Sequence, residues 1–139
     1  MRRLVLLLVA VLTLAACGGG GGGGSSDQDQ IKSAYEQFFS GKSTVDERVA
    51  VLQNGERFKP LVTSFASNPL AKQASAKVST VTLHGPNKAT VEYVVKFGNT
   101  ALPKQTGTAV RENGKWKVGY LGLCKLVALQ GSTPAACKP

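Results

Sequence analysis

The chain has 139 residues, of which 42% are apolar and 18% charged, enough for one small core and too apolar for a wholly disordered chain. Its 17 Lys and Arg outnumber 8 Asp and Glu for a net charge of +9, but beyond Arg2-Arg3 the basic residues stand singly, the densest stretch there being Lys115-Trp116-Lys117, which argues against a nucleic-acid groove.

The first thirty residues are an address. Met1-Arg2-Arg3 is positive, and Leu4 to Leu14 is Leu, Val and Ala broken only by Thr13, ahead of the small pair Ala15-Ala16. This is the pattern of a secretory signal. The apolar run is about half the ~20 residues of a membrane-spanning helix, so a leader occupying residues 1–16 is expected rather than a permanent span. Leu14-Ala15-Ala16-Cys17 resembles the bacterial lipobox, in which the cysteine is diacylated and becomes the new first residue. The alternative is an ordinary signal cut near Ala16 that leaves Cys17 an incidental thiol. The lipobox resemblance implies a lipid anchor at Cys17, with the outer face of the cell membrane as the location; two acyl chains at ~0.8 kcal/mol per methylene hold stably.

Gly18 to Gly24 and Ser25-Ser26 bury no apolar surface and form a tether from residue 17 to 26. Such a chain spans ~16 Å on average and ~30 Å at full stretch. It lacks the Lys and Ser/Thr of a phosphate-binding loop, and no strand precedes it. Loss of Arg2 and Arg3 with the leader still leaves a basic surface suited to anionic lipids or wall polymers, and export removes nucleic acid as a partner.

Residues 27–139 make one domain. Ile31, Ala34, Tyr35, Phe38 and Phe39 recur at helical spacing from Asp27 to Ser40, and Gly41 is expected to end that helix. Thr44-Val45-Asp46-Glu47 has the spacing of a capping box and opens a second helix through Leu52, closed by Asn54-Gly55. A third runs from Glu56 to Ser67, with Phe58, Leu61, Val62 and Phe65 on one side and Pro60 near its first turn. Past Asn68-Pro69 the apolar period changes to two: Val81 and Leu83; Val91, Tyr93, Val95 and Phe97; Thr108 and Val110; Trp116, Val118 and Tyr120. Asn113-Gly114 is a strong signal for a tight hairpin. Three helices before a four-stranded antiparallel meander predict an α+β domain with helices over one concave sheet face. With Cys17 assigned to lipid, Cys124 and Cys137 remain as a disulfide pair in an oxidising compartment. Two cysteines and the lone His84 do not make a zinc set, so no metal is expected.

Several stretches, "AYEQFFSGKSTVDERVAVLQNGERFKP", "AKVSTVTLHG", "QTGTAVRENGKWKV" and "LCKLVALQG" with a final cysteine, resemble the low-molecular-weight secreted antigens of mycobacteria and related actinobacteria, from about Gln30 to Cys137. The resemblance implies a cone-shaped domain similar to nuclear transport factor and ketosteroid isomerase, in an exported protein exposed to host immunity where the source is a pathogen. It carries over no catalytic residues and no cofactor. The relatives are largely described as secreted, so the lipobox at Cys17 is a departure that points to an anchored form.

Enzymes of the cone-shaped superfamily keep a buried Asp or His with Tyr partners inside the cone. Here Asp27, Asp29 and Asp46 fall near the tether or in a helix's first turn, Glu92 alternates away from the ring-bearing face, and His84 sits beside a turn. No nucleophile set exists, so no catalytic residue is expected. Tyr35, Phe39, Phe65, Tyr93, Phe97 and Trp116 are the residues able to line a pocket, and equally those any core must use. The expected function is a non-catalytic binding or interaction domain, its partner an apolar small molecule, an envelope protein or an anionic wall polymer. A carrier for apolar ligands and an isomerase or dehydratase are the alternatives. An enzyme needs a shifted polar group inside the cone, a carrier an open apolar pocket, and an interaction module a filled cone with an exposed patch.

Overall fold

A computed structural model describes residues 26–128, 131 and 133–138; the expected leader, Cys17 and most of the tether lie outside the described residues. Helices α1 (Asp27–Phe39), α2 (Val45–Ala50) and α3 (Gly55–Ser67) precede a 3₁₀ turn at Pro69–Gln73. Strands β1 (Ala74–Leu83), β2 (Lys88–Phe97), β3 (Thr100–Ala101), β4 (Gln105–Glu112) and β5 (Lys115–Val118) follow, then α4 (Tyr120–Ala128) and a 3₁₀ turn at Ala135–Cys137.

The helices arise largely where the apolar spacing places them. The Ser26 hydroxyl caps α1 by accepting from the Asp29 amide at 3.2 Å, and the five apolar residues of its stripe are buried. Gly41 follows the C-cap Ser40 but does not adopt the positive φ of a left-handed cap. A Cβ there would lie 2.1 Å from the Lys72 carbonyl oxygen, so close backbone approach is what demands glycine. Both bonds of the capping box form in α2: the Glu47 amide donates to Thr44 Oγ1 at 3.2 Å and the Thr44 amide to Glu47 Oε2 at 2.7 Å.

That second helix ends at Ala50, earlier than expected, because the next residues join the sheet. The Val118 amide donates to the Val51 carbonyl at 2.7 Å and the Gln53 amide to the Val118 carbonyl at 2.8 Å, a parallel bridge that covers the outer edge of β5. Asn54, at φ 53°, turns the chain directly into α3, whose Pro60 stands in the second turn.

The sheet runs β1-β2-β4-β5 with every neighbour antiparallel, while the two-residue β3 pairs with β2. This is the expected meander. Asn113 and Gly114 have φ of 53° and 77°, as a type I′ hairpin requires. Two expectations are corrected. In β4 the inward residues are Gly107 and Ala109, while Thr108 is exposed and Val110 half-buried, so the phase is the reverse of the Thr108/Val110 reading. Tyr120 does not end β5 but opens α4, its ring stacked on Phe58 at 5.2 Å, and Leu123 carries the new helix into the core.

Helix α1 lies across β1 and β5 on the inner face of the sheet. The core between them is built from Ile31, Phe38, Val62, Val91, Val95 and Val118 together with the tyrosines described below. Cys124 and Cys137 are bonded, S–S 2.05 Å, which staples the last described residues to α4. The protein is therefore α+β, a curled antiparallel sheet with helices packed on one face.

Candidate functional site

The place to look for chemistry in this architecture is the inner face of the sheet under α1. Tyr35 and Phe39, one helical turn apart on α1, meet Tyr93 of β2: ring centroids are 4.9 Å apart for Tyr35 and Tyr93, and 5.4 Å for the stacked pair Phe39 and Tyr93. Phe38 meets Phe39 edge-on at 5.0 Å. Below the tyrosines β4 presents Gly107. A Cβ on Gly107 would lie 2.4 Å from Tyr35 Oη and 3.2 Å from Tyr93 Cε1, so the absence of a side chain is what admits the two phenols.

Tyr35 is fixed at its tip as well as along its ring. Its hydroxyl donates to the Thr108 carbonyl at 2.6 Å, and the same oxygen accepts the Gly119 amide at 2.7 Å where the chain leaves β5 for α4. Burial, and secondarily the nearby Tyr93, push the Tyr35 phenol far above its ordinary range, while burial pushes Tyr93 up to about 12. Both are therefore neutral at physiological pH. Tyr35 is a donor locked to a backbone carbonyl, and the Tyr93 ring is held between Tyr35 and Phe39, so neither is well placed to accept a proton from a substrate.

Of the six residues named as able to line a pocket, the fold thus brings three together, Tyr35, Phe39 and Tyr93, with their rings in mutual contact. Trp116 is buried elsewhere, its ring 4.9 Å beneath the Arg111 guanidinium, which also pairs with Asp27. Phe97 is half-buried at the end of β2. Phe65 is half-buried on α3, and its ring faces Arg48 at 5.2 Å.

Arg48 is the residue that sequence reasoning missed. It is 1% exposed, donates from Nη2 to the Ser40 carbonyl at 2.7 Å and from Nε to the Ser43 carbonyl at 3.3 Å, and Nη1 finds no acceptor among the described residues. Burial lowers its pKa. The signal was present, since Val45, Arg48, Val49 and Leu52 form an i, i+3, i+4, i+7 stripe. Arg48 holds the α1–α2 loop closed by donating to two of its backbone carbonyls.

The remaining candidates lie on the surface. His84 is exposed and its Nε2 shares a hydrogen bond with Thr90 Oγ1 at 2.8 Å. Glu92 points outward to Lys104 at 3.6 Å. A groove of about 660 Å³ between α2, the start of α3 and the β4–β5 hairpin is lined by Asp46, Leu52, Glu56, Arg57, Glu112 and Lys117 among others. Several of its charges are already engaged: Asp46 with Lys59 at 3.0 Å, and Lys117 with the Ala50 carbonyl at 2.6 Å. Among the described residues no group of three or more His, Cys, Asp or Glu is placed to hold a metal ion.

Residues 25–134 match the family described as low molecular weight antigen MTB12, C-terminal domain. The chain belongs to this antigen family. The match spans nearly all of the described antigen domain, including α4 and the first cysteine of the disulfide. No curated protein matches the chain. Among solved structures, an NTF2-like protein of unknown function from Methylobacillus flagellatus KT aligns at a TM-score of 0.51 and 17% identity, covering 66% of this chain and 86% of that one. An NTF2-like protein from Campylobacter jejuni aligns at a TM-score of 0.41 and 14% identity, covering 68% and 98%. At 17% identity the first likeness concerns the fold alone: the antigen domain is an NTF2-like cone.

Proposed function

We propose that this antigen-family domain is a non-catalytic interaction module, held at the outer face of the cell membrane by acyl chains on Cys17. The observation that carries the binding reading is the content of the cone. Where an isomerase of this architecture would need a titrating acid or base open to substrate, Tyr35, Phe39 and Tyr93 pack ring against ring, and the Tyr35 hydroxyl is committed to a backbone carbonyl. The same filling disfavours a carrier of apolar small molecules, which needs space at that position.

The location rests on other features. The leader and the Leu14-Ala15-Ala16-Cys17 motif support export and acylation, and family membership among antigens agrees with a place outside the cytoplasm. No helix of the described residues is long and apolar enough to cross a membrane, so retention there would fall to the lipid.

Expression in an actinobacterial host with an alkyne-bearing fatty acid tests the anchor. The wild-type chain should carry label and sediment with membranes, while Cys17→Ala should lose both. A Cys17→Ala chain that still labels and sediments would sink the lipobox reading. Native mass spectrometry of the exported protein tests the closed cone, for which a mass free of any solvent-extractable adduct is expected; a reproducible apolar adduct would turn the domain into a carrier.

A further inference from the structure

We infer that the outer face of the sheet is a docking surface for anionic phospholipid headgroups. Residues 26–73, the helical half, carry six acidic and six basic side chains; residues 74–138 carry two acidic and nine basic. The net charge of the described domain therefore comes from residues 74–138, and all of it but Lys125 and Lys138 from the sheet segment Ala74 to Val118.

Strand pairing decides where most of that charge points. Val91, Tyr93 and Val95 of β2 face inward, so Lys88, Glu92, Val94 and Lys96 face outward. By register Lys77 of β1, and Lys115 and Lys117 of β5, share that side. The α-helices contact the inner face, and no described element covers the outer one. Both carboxylates on it are occupied: Glu92 by Lys104, and Glu112 by the Asn54 amide at 3.4 Å. Lys77, Lys88, Lys96 and Lys115 are exposed and make no ion pair among the described residues.

The layout suits an extended anionic surface. Lys88 and Lys96 stand at opposite ends of β2, about 27 Å apart at strand rise. Lys77 and Lys96 are diagonal neighbours roughly 8 Å apart. They flank a depression of about 430 Å³ over Val94, with Ser75 and Ser79 at its rim, which offers a phosphodiester two ammonium groups and hydroxyls above an apolar floor. Lysine is apt here, since its stem can lie along the sheet while its charge meets the headgroups.

A planar array of headgroups suits lysines spread along the strands better than a single narrow polymer chain would. Asp27 pairs with Arg111, which shares the inner face with Trp116, and Gln28 Nε2 donates to the Val81 carbonyl at 3.4 Å, so α1 begins on the inner side of the sheet beside the ends of β1 and β4, and the tether must pass the sheet's rim to bring the outer face to a bilayer. Nine Gly and Ser residues reach at most ~30 Å, which keeps the lysines at high effective concentration over the membrane.

The inference rests on the anchoring reading, yet the two fail separately, because acyl labelling tests Cys17 and vesicle binding by an unacylated chain tests the face. The complete mature chain with Cys17→Ala should bind vesicles of equal phosphatidylglycerol and phosphatidylcholine, ignore phosphatidylcholine alone, and release in about 0.5 M salt, where screening is within a few ångströms. Replacing Lys77, Lys88, Lys96 and Lys115 by Gln should weaken binding by about fivefold each, several hundredfold together. The same loss of charge on the helical side, Lys32, Lys42, Lys59 and Lys72 to Gln, should change it by less than about threefold. Equal losses from the two sets, no preference for anionic vesicles, or binding to an anionic wall polysaccharide with vesicles ignored would each overturn the inference.

Discussion

Gly107 shows how much one missing side chain decides. Because a Cβ there would lie far inside van der Waals contact with the Tyr35 hydroxyl, Gly107→Val must expel a ring that is 1% exposed and hydrogen-bonded to Thr108. Overpacking of this kind costs about 1–3 kcal/mol, and the loss of the hydroxyl's partner adds about 1 more, so urea unfolding of Gly107→Val should show a loss of roughly 2–4 kcal/mol. A neutral result would mean that the interior can accommodate bulk, which is the property a ligand pocket needs. The tyrosines also set an alkaline limit. A phenol raised in the fold but ordinary in the unfolded chain stabilises the protein below about pH 10, and that contribution drains away as pH climbs through the folded value. Tyr93, raised to about 12, alone withdraws on the order of 2–3 kcal/mol across that window, and Tyr35 acts in the same direction. Absorbance at 295 nm should therefore find these two phenols silent above pH 10 until the protein unfolds, with ionisation and loss of structure coinciding. Neither effect was legible from spacing. The period-two reading placed the tyrosine of β2 correctly but gave β4 the wrong phase, because Thr108 and Val110 are β-formers whereas the inward positions hold only Gly107 and Ala109. Small residues leave no apolar signature where larger ones from another element fill their space.

At the scale of elements, those with caps or paired turns were the readable ones. Thr44 and Glu47 started α2, and Asn113-Gly114 set the β4–β5 hairpin, as local chemistry dictates. What long-range contact decides was harder to read. Helix α2 stops early because Val51 to Gln53 find hydrogen-bond partners on β5, and Tyr120 leaves the strand pattern because Phe58 of α3 offers a stacking face. Helix α4 is the element most dependent on a covalent link. Its described contacts with the core include Leu123 and Cys124, and the disulfide to Cys137 closes a loop with a sequence separation of 13. In the chain-entropy description such a loop contributes about 3 kcal/mol. Cys124→Ser with Cys137→Ser should lower the thermal midpoint accordingly and speed amide exchange in α4 before β2. An unchanged midpoint would place the stability of α4 wholly in Tyr120 and Leu123.

The whole molecule divides into a charge-balanced helical half and a strongly basic sheet half, a division present in the sequence but visible only once strand register gives each lysine a direction. The α+β class was legible from the change of apolar period near Asn68-Pro69, and the family resemblance led to the same cone. The mutual packing of Tyr35, Phe39 and Tyr93 was not, because the same aromatic residues would line a cavity or fill one. One further feature bears on how copies coexist. The edge of β5 is covered by the α2–α3 connection, whereas β1 is the sheet's other edge, and its pairing slips between Val78 and Thr80. On the anchored reading proposed above, copies confined to a plane would meet far more often than in free solution, and an unbroken edge would invite them to zip together strand by strand. The bulge splits that edge into runs of five and four residues, with the Lys77 ammonium in the longer, so crowded neighbours repel and misalign instead of polymerising.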